Sequence, residues 1–559
     1  MRRVLQLLAV FACVQARFGL SGALHDTLGP GTIVVDGFIW IEAGDSLIVR
    51  SGTVFNFTGS YSFDLHGTLR AQGTQSDSIF FTTDLDVNPA GWMGLRFHEG
   101  SDGSILTYCV IENGHAHGGP PFDCGGGVYC ESAPNFQHCS IRNNRADADG
   151  GGVYCTDASP IFSNCSITGN TATSSGGGSA CRAGASPSFT DCVFGDNVAQ
   201  GGGGVYCNAS SPSFVGCTFN GNGAAGNGGA VACWEGSNPG LVDCIITDNT
   251  ASGAGEDNGG GGVYCNFSHP SLLRCSVTGN EAHLDGGGAL CASSNARFTN
   301  CLFSGNTANG DGGGACVKQT AHPVFEFCTF SDNIAGGNGG GACCDTSFME
   351  FNSTIVVFSQ GVGIYFYGGG ACNGCPIVHC DFFSNSAGDF GGPAVPESLG
   401  IVFRFNRMLE VCDKNYNIFR DPCFANRGAG DFHLLDNSHC ISMADPERAV
   451  NLDFENDARP NPDATVADIG MDESPSFRDW PFVRGTVVYW PDPPLGSPLH
   501  LWWQSCLGSP LYKIWGSPDA GNTGYVLDTT TDTTWTDYTA PNRPSRWFYY
   551  VTAEWPDSL

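Results

Sequence analysis

Residues 202–222 read GGGVYCNASSPSFVGCTFNGN, and copies of this stretch recur along the chain. Its first six residues return at 125–130, 150–155 and 260–265, and related versions end at Cys181, Cys233 and Cys291. Its second cysteine returns as Cys109, Cys139, Cys165, Cys192, Cys217, Cys244, Cys275, Cys301, Cys328 and Cys380. Successive cysteines of this series are 25 to 31 residues apart, except for one step of 52 residues, in which Asn352 is interpreted as the substitute for the missing cysteine. Self-similarity at a fixed period indicates a repeat architecture.

The repeat unit has the pattern of short β-strands. Val205 and Cys207 flank Tyr206 in a period-two alternation, and the same alternation recurs around Thr218. No segment of the repeats has the period of a long amphipathic helix. A unit of this length is too small to bury its own apolar face, but stacked copies bury it together. The sequence therefore predicts an all-β protein built as a parallel β-helix, with neighbouring rungs about 4.8 Å apart.

Stacking of rungs places each residue over its equivalent in the next repeat, so like residues should form columns. An asparagine ladder is expected at one turn, formed by Asn170, Asn197, Asn222, Asn249, Asn280, Asn306 and Asn333. A cysteine ladder is expected from Cys139, Cys165, Cys192, Cys217, Cys244, Cys275, Cys301 and Cys328. The interior is expected to contain Phe136, Phe162, Phe189, Phe214, Phe298 and Phe325. The glycine runs suit tight turns with positive φ.

The cysteines leave two questions open. Neighbouring rungs bring Cα atoms within the roughly 4.4–6.8 Å that a disulfide needs, but side chains that point the same way strain the bond, and buried thiols also pack well as small apolar groups. In the runs that end at Cys316, Cys343 and Cys372, the cysteine also comes one residue earlier than in the other repeats. Either these three point outward, with Val317, Cys344 and Asn373 inward, or the glycine turn is one residue shorter there.

The composition excludes several classes of protein. The chain has 80 Gly and 28 Cys in 559 residues, and 55 Asp+Glu against 24 Lys+Arg give a formal charge of -31. This charge argues against nucleic acid as a partner, because phosphate binding needs clustered basic residues. The glycines follow no Gly-X-Y period, which excludes collagen. No apolar stretch reaches the roughly 20 residues of a membrane helix, so no transmembrane segment is expected.

The start of the chain predicts export. Arg2 and Arg3 precede an apolar stretch, so residues 1–16 are interpreted as a secretory signal peptide, with an alternative end at residue 23. Export agrees with the cysteine count, because disulfides persist outside the cytosol, and it predicts a secreted or cell-surface protein. The predicted units are a cap with first rungs at 24–108, Gly/Cys-rich repeats at 109–400, C-terminal rungs with a cap at 401–473, a linker at 474–498 and a last domain at 499–559.

The glycine runs and the Phe-x-x-Cys segments with a following Asn resemble secreted right-handed β-helix proteins of the pectate-lyase-like superfamily. They are similar to the repeats of polymorphic outer-membrane proteins. The resemblance covers about residues 24–473, with GTIVV at 31–35 near its start and GDFHL at 430–434 near its end. It implies a right-handed solenoid, but its members include polysaccharide lyases and hydrolases, adhesins and proteins of unknown role. Residues 499–554, with FYYV at 548–551, resemble a fibronectin type III module, so a small β-sandwich is expected to follow the solenoid.

Two kinds of side chain suggest ligands. Calcium is the one possible cofactor, because carboxylates in stacked glycine loops suit it, with solvated turn carboxylates as the alternative. The candidate ligands are Asp149, Asp257, Asp285 and Asp311. A polysaccharide or cell-surface glycan is the predicted partner of outward aromatic rings, with ordinary stacking on a β-surface as the alternative. The rings that share this position are Tyr129, Tyr154, Tyr206 and Tyr264, with Trp234 next to them.

Two functions follow from these patterns. The preferred one is a monomeric, secreted, non-catalytic β-helix protein with a structural, adhesive or glycan-contacting role, because the repeats carry no singular polar cluster. The alternative is an extracellular polysaccharide lyase or glycoside hydrolase, whose site would lie at 345–420, where the repeats degrade. β-Helix hydrolases use paired carboxylates, and lyases use a basic residue beside bound calcium. The repeats are poor in basic residues, and the sequence identifies no catalytic residue.

Overall fold

Each repeat forms one turn of a solenoid, as the turn that begins at Val205 shows. It contains the strands Val205–Asn208, Ser213–Val215, Thr218–Asn220 and Gly223–Ala224. All four pair in parallel with their equivalents in the neighbouring turns, so the protein consists of four stacks of strands, called stacks 1 to 4 in this order. The computed structural model describes residues 19–255, 257–368, 372–406, 410–448, 450–460, 466–475, 499–502, 511–517, 525–530, 534–537 and 548–554. The predicted signal peptide and most of the predicted linker lie outside these residues.

The bounds of the strands follow the repeat. Stack 1 contains Phe63–Leu65, Leu95–Phe97, Val128–Cys130, Val153–Thr156, Ser179–Arg182, Val205–Asn208, Val231–Trp234, Val263–Asn266, Ala289–Ala292, Ala315–Lys318, Ala342–Cys344, Ile364–Phe366 and Phe390–Gly391. Stack 2 contains Asp26–Leu28, Ser46–Val49, Thr68–Gln72, Ile105–Thr107, Asn135–Gln137, Ile161–Ser163, Ser188–Thr190, Ser213–Val215, Gly240–Val242, Ser271–Leu273, Arg297–Thr299, Val324–Glu326, Glu350–Asn352 and Ile377–Val378. Stack 3 contains Thr53–Phe57, Ile79–Thr82, Cys109–Glu112, Ser140–Arg142, Ser166–Thr168, Val193–Gly195, Thr218–Asn220, Ile245–Thr247, Ser276–Thr278, Leu302–Ser304, Thr329–Ser331, Ile355–Val357 and Asp381–Phe383. Stack 4 contains His115–Ala116, Arg145–Ala146, Thr171–Ala172, Val198–Ala199, Gly223–Ala224, Thr250–Ala251, Glu281–Ala282, Thr307–Ala308 and Ile334–Ala335.

The N-terminal end joins two of these stacks. The strand Gly31–Ile41 pairs with Thr53–Phe57 through its first half and with Phe63–Leu65 through its second half. Stacks 1 and 3 thereby belong to one 28-stranded sheet. The strand Leu20–Ala23, which ends at the alternative signal-peptide boundary, also pairs with Gly31–Ile41.

Alternation decides which side chains enter the core. Val205 and Cys207 are buried, and Tyr206 between them faces outward. The six phenylalanines predicted for the interior are all fully buried. Phe162 and Phe189 of neighbouring rungs stack with ring centroids 4.8 Å apart and an interplanar angle of 12°. The prediction of an all-β parallel solenoid is therefore confirmed.

The asparagines of successive rungs form a continuous buried ladder at the turn after stack 3. The side chain of Asn197 donates from Nδ2 to Oδ1 of Asn222 at 3.0 Å and to the Ile167 carbonyl at 2.8 Å, and its backbone N–H donates to the same Oδ1 at 3.1 Å. This pattern extends from Asn144, which the sequence prediction omitted, to Asn333. Each of these amides bonds to backbone groups of the preceding turn and to the asparagine of the next turn, so the ladder holds the turns in register.

Cysteines line the interior in two columns. One lies in stack 1, where Cys207 pairs in register with Cys181 and Cys233. The other lies at the turn before stack 3, where the Cys217 thiol donates to the Phe189 carbonyl at 3.4 Å. All described cysteines are thiols in the structure, and all but Cys423 are buried.

The register of the later rungs distinguishes the two interpretations of the shortened glycine motif. Cys316 aligns with the outward Leu290, and Val317 aligns with the inward Cys291. Cys343 and Cys344 repeat this arrangement, because they align with Cys316 and Val317. Cys316 and Cys343 therefore point outward and the glycine turn keeps its length.

Two sequence assignments near residues 352 and 372 are wrong. The strand that follows Ala342–Cys344 in stack 1 is Ile364–Phe366, so Cys372 does not lie in this stack. Cys372 instead begins the 3-10 turn Cys372–Gly374 and is buried, with its Sγ 3.4 Å from that of Cys344. The residue that replaces the column cysteine is Thr354 and not Asn352, because the Thr354 hydroxyl donates to the Phe325 carbonyl at 3.3 Å, as the cysteine thiols do. A hydroxyl of similar size makes the same hydrogen bond, which explains why the gap in the cysteine spacing leaves the fold intact.

Oxidation is expected to join Cys316 to Cys343 before any inward-facing cysteine. Their Sγ atoms lie 2.6 Å apart on the outer face, closer than unbonded sulfur atoms pack. A disulfide forms when an oxidant such as oxidised glutathione takes up the two thiol hydrogens. Peptide mapping after alkylation should then find a linked peptide pair that contains both residues, about 2 Da lighter than the two thiol forms together.

Two serine variants separate this pair from the columns. Cys316→Ser should abolish the linked peptide, whereas Cys207→Ser, in the inward column of stack 1, should leave it in place. A first linkage that contains only inward cysteines would contradict the prediction.

The described residues between 401 and 475 fold back along the outside of stack 3 and differ in this from the further rungs expected at 401–473. The strands Arg404–Phe405 and Val411–Cys412 pair antiparallel, and so do Phe424–Asn426 and Asp431–Leu434. The short 3-10 helix Arg427–Ala429 connects the second pair. Among the described residues of this segment, the parallel pairing is one isolated bridge, between Ile418 and Asp381.

The outer face of the last rungs explains the fold-back. Ile355 and Val357 occupy outward positions of stack 3 where the earlier turn has Thr218 and Asn220, and they form a second core with Ile441 and other residues of the returning segment. The segment continues toward earlier rungs, where Asn300 Nδ2 donates to the Leu452 carbonyl and the Met471 N–H donates to Thr329 Oγ1. Apolar burial thus fixes this segment to the side of the solenoid.

The last described strands are antiparallel. Leu499–Trp502 pairs with Thr534–Asp537, and Leu511–Ser517 lies between Tyr525–Thr530 and Phe548–Glu554. Two small antiparallel sheets agree with a compact β-domain after the solenoid, and the likeness to fibronectin type III stays a prediction.

Candidate functional site

A column of outward residues follows stack 1 along the solenoid axis. Strand register places one residue of each rung in it, and we call it the tyrosine column. Its members are Tyr129, Tyr154, Ala180, Tyr206, Ala232, Tyr264, Leu290, Cys316, Cys343 and Tyr365. The four tyrosines predicted from sequence are in it, and Trp234 lies two residues beyond Ala232 on the same face.

The two alanines interrupt the column, and larger neighbours fill the gaps. Arg182, two residues after Ala180, places its guanidinium carbon 5.0 Å from the centroid of the Tyr206 ring. Trp234, two residues after Ala232, packs on Tyr264 with ring centroids 5.2 Å apart. Residues two apart on a strand share a face, so Arg182 and Trp234 lie on the same face as the alanines that precede them. Between Tyr154 and Tyr264, this arrangement gives a row of aromatic rings that includes the Arg182 guanidinium.

Only part of this surface is open to solvent. Tyr129 is 3% exposed and Tyr264 is 0% exposed, so these two rings offer no face to a ligand, contrary to the sequence expectation. Tyr129 is covered by the Arg96 guanidinium, 4.1 Å from its ring centroid. Of the five rings predicted from sequence, the half-buried Tyr154, Tyr206 and Trp234 remain, and Tyr365 at the far end of the column is half-buried as well. Burial raises the pKa of Tyr154 to about 12, so its phenol is a neutral hydrogen-bond donor at physiological pH.

The four aspartates proposed as calcium ligands each have a partner from the protein. Asp149 pairs with Arg182 at 2.8 Å, and Asp285 pairs with Lys318. Asp257 accepts from Gln319 at 2.6 Å, and Asp311 accepts from the Tyr367 hydroxyl at 2.8 Å. Among the described residues, none of these aspartates belongs to a group of three side chains whose ligand atoms converge. Calcium binding at these positions stays a prediction that the geometry does not favour.

A second candidate site lies where the solenoid meets the returning segment. A hollow of about 530 Å³ is lined by Val378, His379, Asn406, Lys414, Asn415, Tyr416, Met443, Asp445, Pro446 and Glu447, and we call it the terminal pocket. Tyr416 stacks on His379 with centroids 5.1 Å apart, and the Arg404 guanidinium lies 4.7 Å from the Tyr416 centroid. Part of this lining belongs to the region 345–420, where the sequence placed the site of the alternative enzymatic function.

Asp445 and Glu447 add carboxylates that sequence reasoning missed. Burial by itself raises the pKa of Asp445, but hydrogen bonds to the carboxylate have the larger combined effect. They come from Asn352 Nδ2, at 3.0 Å, and from the Glu447 N–H, and the resulting pKa of Asp445 lies below its usual range. Asp445 is therefore ionised near neutral pH. The pocket brings a carboxylate, an imidazole and an ammonium group to one surface. The fold-back creates this proximity, and no periodic signal in the sequence indicates it.

The stacked parallel strands define the protein as a β-helix. The model of a protein family described as "Right handed beta helix region" matches residues 72–253 and 229–392, which is more than half of the chain. The chain therefore belongs to this family. Among solved structures, pectate lyase Pel9A matches with a TM-score of 0.30 and 12% identity, over 76% of this chain and 88% of its own. No curated protein matches the chain. In the described part of the chain, no helix is long and apolar enough to cross a membrane.

Proposed function

We propose that the protein is secreted and binds a linear, uncharged glycan along the tyrosine column without cleaving it. The observation that supports this is the row of half-buried rings Tyr154, Tyr206 and Trp234, which follows the solenoid axis with Arg182 between the first two. A repeating row of aromatic surface suits a repeating polymer, since the apolar face of each sugar ring packs on an aromatic ring. The formal charge of -31 repels polyanions, which favours an uncharged chain.

Binding should depend on these rings. Tyr206→Ala and Trp234→Ala are each expected to weaken binding about tenfold, which corresponds to about 1.4 kcal/mol, within the range of a lost aromatic contact. Affinity is measured against immobilised neutral and acidic polysaccharides, with and without calcium. Tyr108→Ala is the matched control, because Tyr108 stacks on His138 at another face. Unchanged affinity of both column variants, with a glycan that the parent chain binds, would refute the proposed surface.

The terminal pocket supports a second candidate function, cleavage of a polysaccharide. The specific observation is the convergence of His379, Lys414, Asp445 and Glu447 on one hollow. The same polysaccharide panel, scored for new reducing ends and for unsaturated products, decides between the two functions. Products that disappear with Asp445→Asn and persist with Trp234→Ala would favour the enzyme. Binding without products favours the non-catalytic role.

A further inference from the structure

A third hollow lies on the returning segment and contains a different set of side chains. It measures about 470 Å³, and His433, Glu455 and Met471 line it together with Leu302 of stack 3. Asp472 adjoins it, because its carboxylate approaches His433 and Glu455. The three titratable residues come from separate segments: the strand Asp431–Leu434, the loop after Asp453, and the stretch that ends near Glu473. Their convergence is a product of the fold-back.

The three side chains have the spacing of metal ligands. One ligand atom from each of His433, Glu455 and Asp472 lies within 4.8 Å of the other two. The His433 Nε2 and Glu455 Oε1 atoms are 3.8 Å apart. Bonds of about 2.0–2.2 Å to a common ion place neighbouring ligand atoms about 3–4 Å apart, so small side-chain movements close the site. The two exposed ligands face the hollow, which leaves space for a water molecule or a further ligand.

A hydrogen bond already orients the imidazole. Asp431 Oδ1 lies 2.6 Å from His433 Nδ1, and this contact places the proton on Nδ1 and leaves Nε2, on the side of Glu455, as the free lone pair. A carboxylate behind a metal-binding histidine is the usual way in which proteins fix its tautomer and direction. Asp472 is fixed as well, because it is 6% exposed and its Oδ2 accepts from the Leu434 N–H at 2.8 Å.

The electrostatics of the hollow favour a cation. Asp453 lies behind the site, and backbone N–H groups of Glu455, Asp457 and Glu473 donate to its carboxylate. Arg459 is ion-paired with Glu473 at 3.0 Å. Repulsion between close carboxylates is relieved when a divalent ion binds between them.

We propose that His433, Glu455 and Asp472 bind one divalent transition-metal ion of the zinc or manganese type, with Asp431 as the positioning residue. The imidazole ligand separates this site from a calcium site, since calcium takes oxygen ligands. A bound ion joins the loop after Asp453 to the strand Asp431–Leu434, so metal should also stabilise the returning segment. The site shares no residue with the tyrosine column or the terminal pocket, so it stands independently of the proposed function.

The test uses the untagged full chain after dialysis against a chelator. Calorimetric titration with Zn²⁺, Mn²⁺ and Ca²⁺ separately should show one equivalent of Zn²⁺ or Mn²⁺ per chain and no comparable binding of Ca²⁺. Co²⁺ should give weak visible bands of a nitrogen and oxygen site, without the strong near-ultraviolet bands of cobalt thiolate. The thiolate bands would instead assign the metal to cysteines and overturn the proposal.

Four variants complete the test. His433→Ala and Glu455→Gln should abolish the binding, and Asp431→Asn should weaken it about 10–100-fold. His115→Ala is the matched control and should leave binding unchanged, because His115 contacts Asp147 at 3.0 Å on a distant turn. Absence of a bound ion in the parent chain, or full binding by His433→Ala, would overturn the proposal. Equal circular dichroism spectra of the variants exclude unfolding as the cause of a loss.

Discussion

Gly203→Ala is expected to destabilise the solenoid by about 3 kcal/mol, whereas Gly201→Ala, two residues earlier in the same glycine run, should have little effect. A Cβ atom on Gly203 would lie 2.5 Å from the Gly223 carbonyl oxygen and 2.6 Å from the Gly229 carbonyl oxygen. Both are backbone atoms that no side-chain rotation can move. A Cβ on Gly201 meets ring carbons of Tyr206 at 3.8 Å, which is an ordinary contact.

The effect should spread beyond the substituted turn. The Gly203 N–H donates to the Gly228 carbonyl at 3.1 Å, and Gly228 belongs to the glycine run of the next turn. An added methyl group pushes these runs apart and weakens the hydrogen bonds between the two turns. In a solenoid, each turn contacts only its neighbours, so a weak interface divides the stack into two parts.

Urea denaturation and limited proteolysis test this expectation. Gly203→Ala should unfold at a lower urea concentration and release fragments cut near residue 200, while Gly201→Ala should match the parent chain. Equal midpoints for the two variants would show that the turns accommodate a methyl group, contrary to the clash.

The regular part of the fold follows from the sequence because one physical rule repeats in every turn. An inward position must hold a residue that packs on the equivalent residue of the next turn, about 4.8 Å away. Residues similar to Val205, Cys207 and Phe219 therefore recur at the same positions of successive turns. A buried turn with a free carbonyl needs a donor on each rung, which explains the recurrence of Asn197 and Asn222. Periodicity makes such positions visible without any structure.

The candidate sites are harder to predict because they lie where the repetition fails. The gap at Ala180 is filled by Arg182, and this depends on side-chain direction in three adjacent rungs. Tyr264 has the same sequence context as Tyr206, yet it is fully buried. His433, Glu455 and Asp472 are separated by about 20 residues each, with no period that connects them. Only the apolar outer residues Ile355 and Val357 signal, in retrospect, that a further segment covers this face.

The ladder that fixes these turns should be the most sensitive part of the molecule. Asn222→Leu is expected to destabilise the protein by about 5 kcal/mol, because four hydrogen bonds are lost at a buried position and two backbone groups are left without a partner. Asn222 Nδ2 donates to the Phe194 carbonyl and to Asn249 Oδ1, both at 2.9 Å. Its Oδ1 accepts from the backbone N–H and the side-chain amide of Asn197, at 3.1 and 3.0 Å.

Leucine has the same number of side-chain heavy atoms as asparagine and the same branch at Cγ, so the substitution removes the hydrogen-bonding groups and replaces them with two somewhat larger methyl groups. The buried Asn197 N–H and the Phe194 carbonyl lose a partner that water does not replace in the closed turn, and unpaired buried groups of this kind cost about 1–3 kcal/mol each. Asn220→Leu is the matched control, since Asn220 lies two residues earlier and is exposed. The free energy of unfolding, measured with urea, should fall steeply for Asn222→Leu and change by less than about 0.5 kcal/mol for Asn220→Leu. Equal losses for the two variants would mean that the ladder contributes no more to stability than a surface amide does.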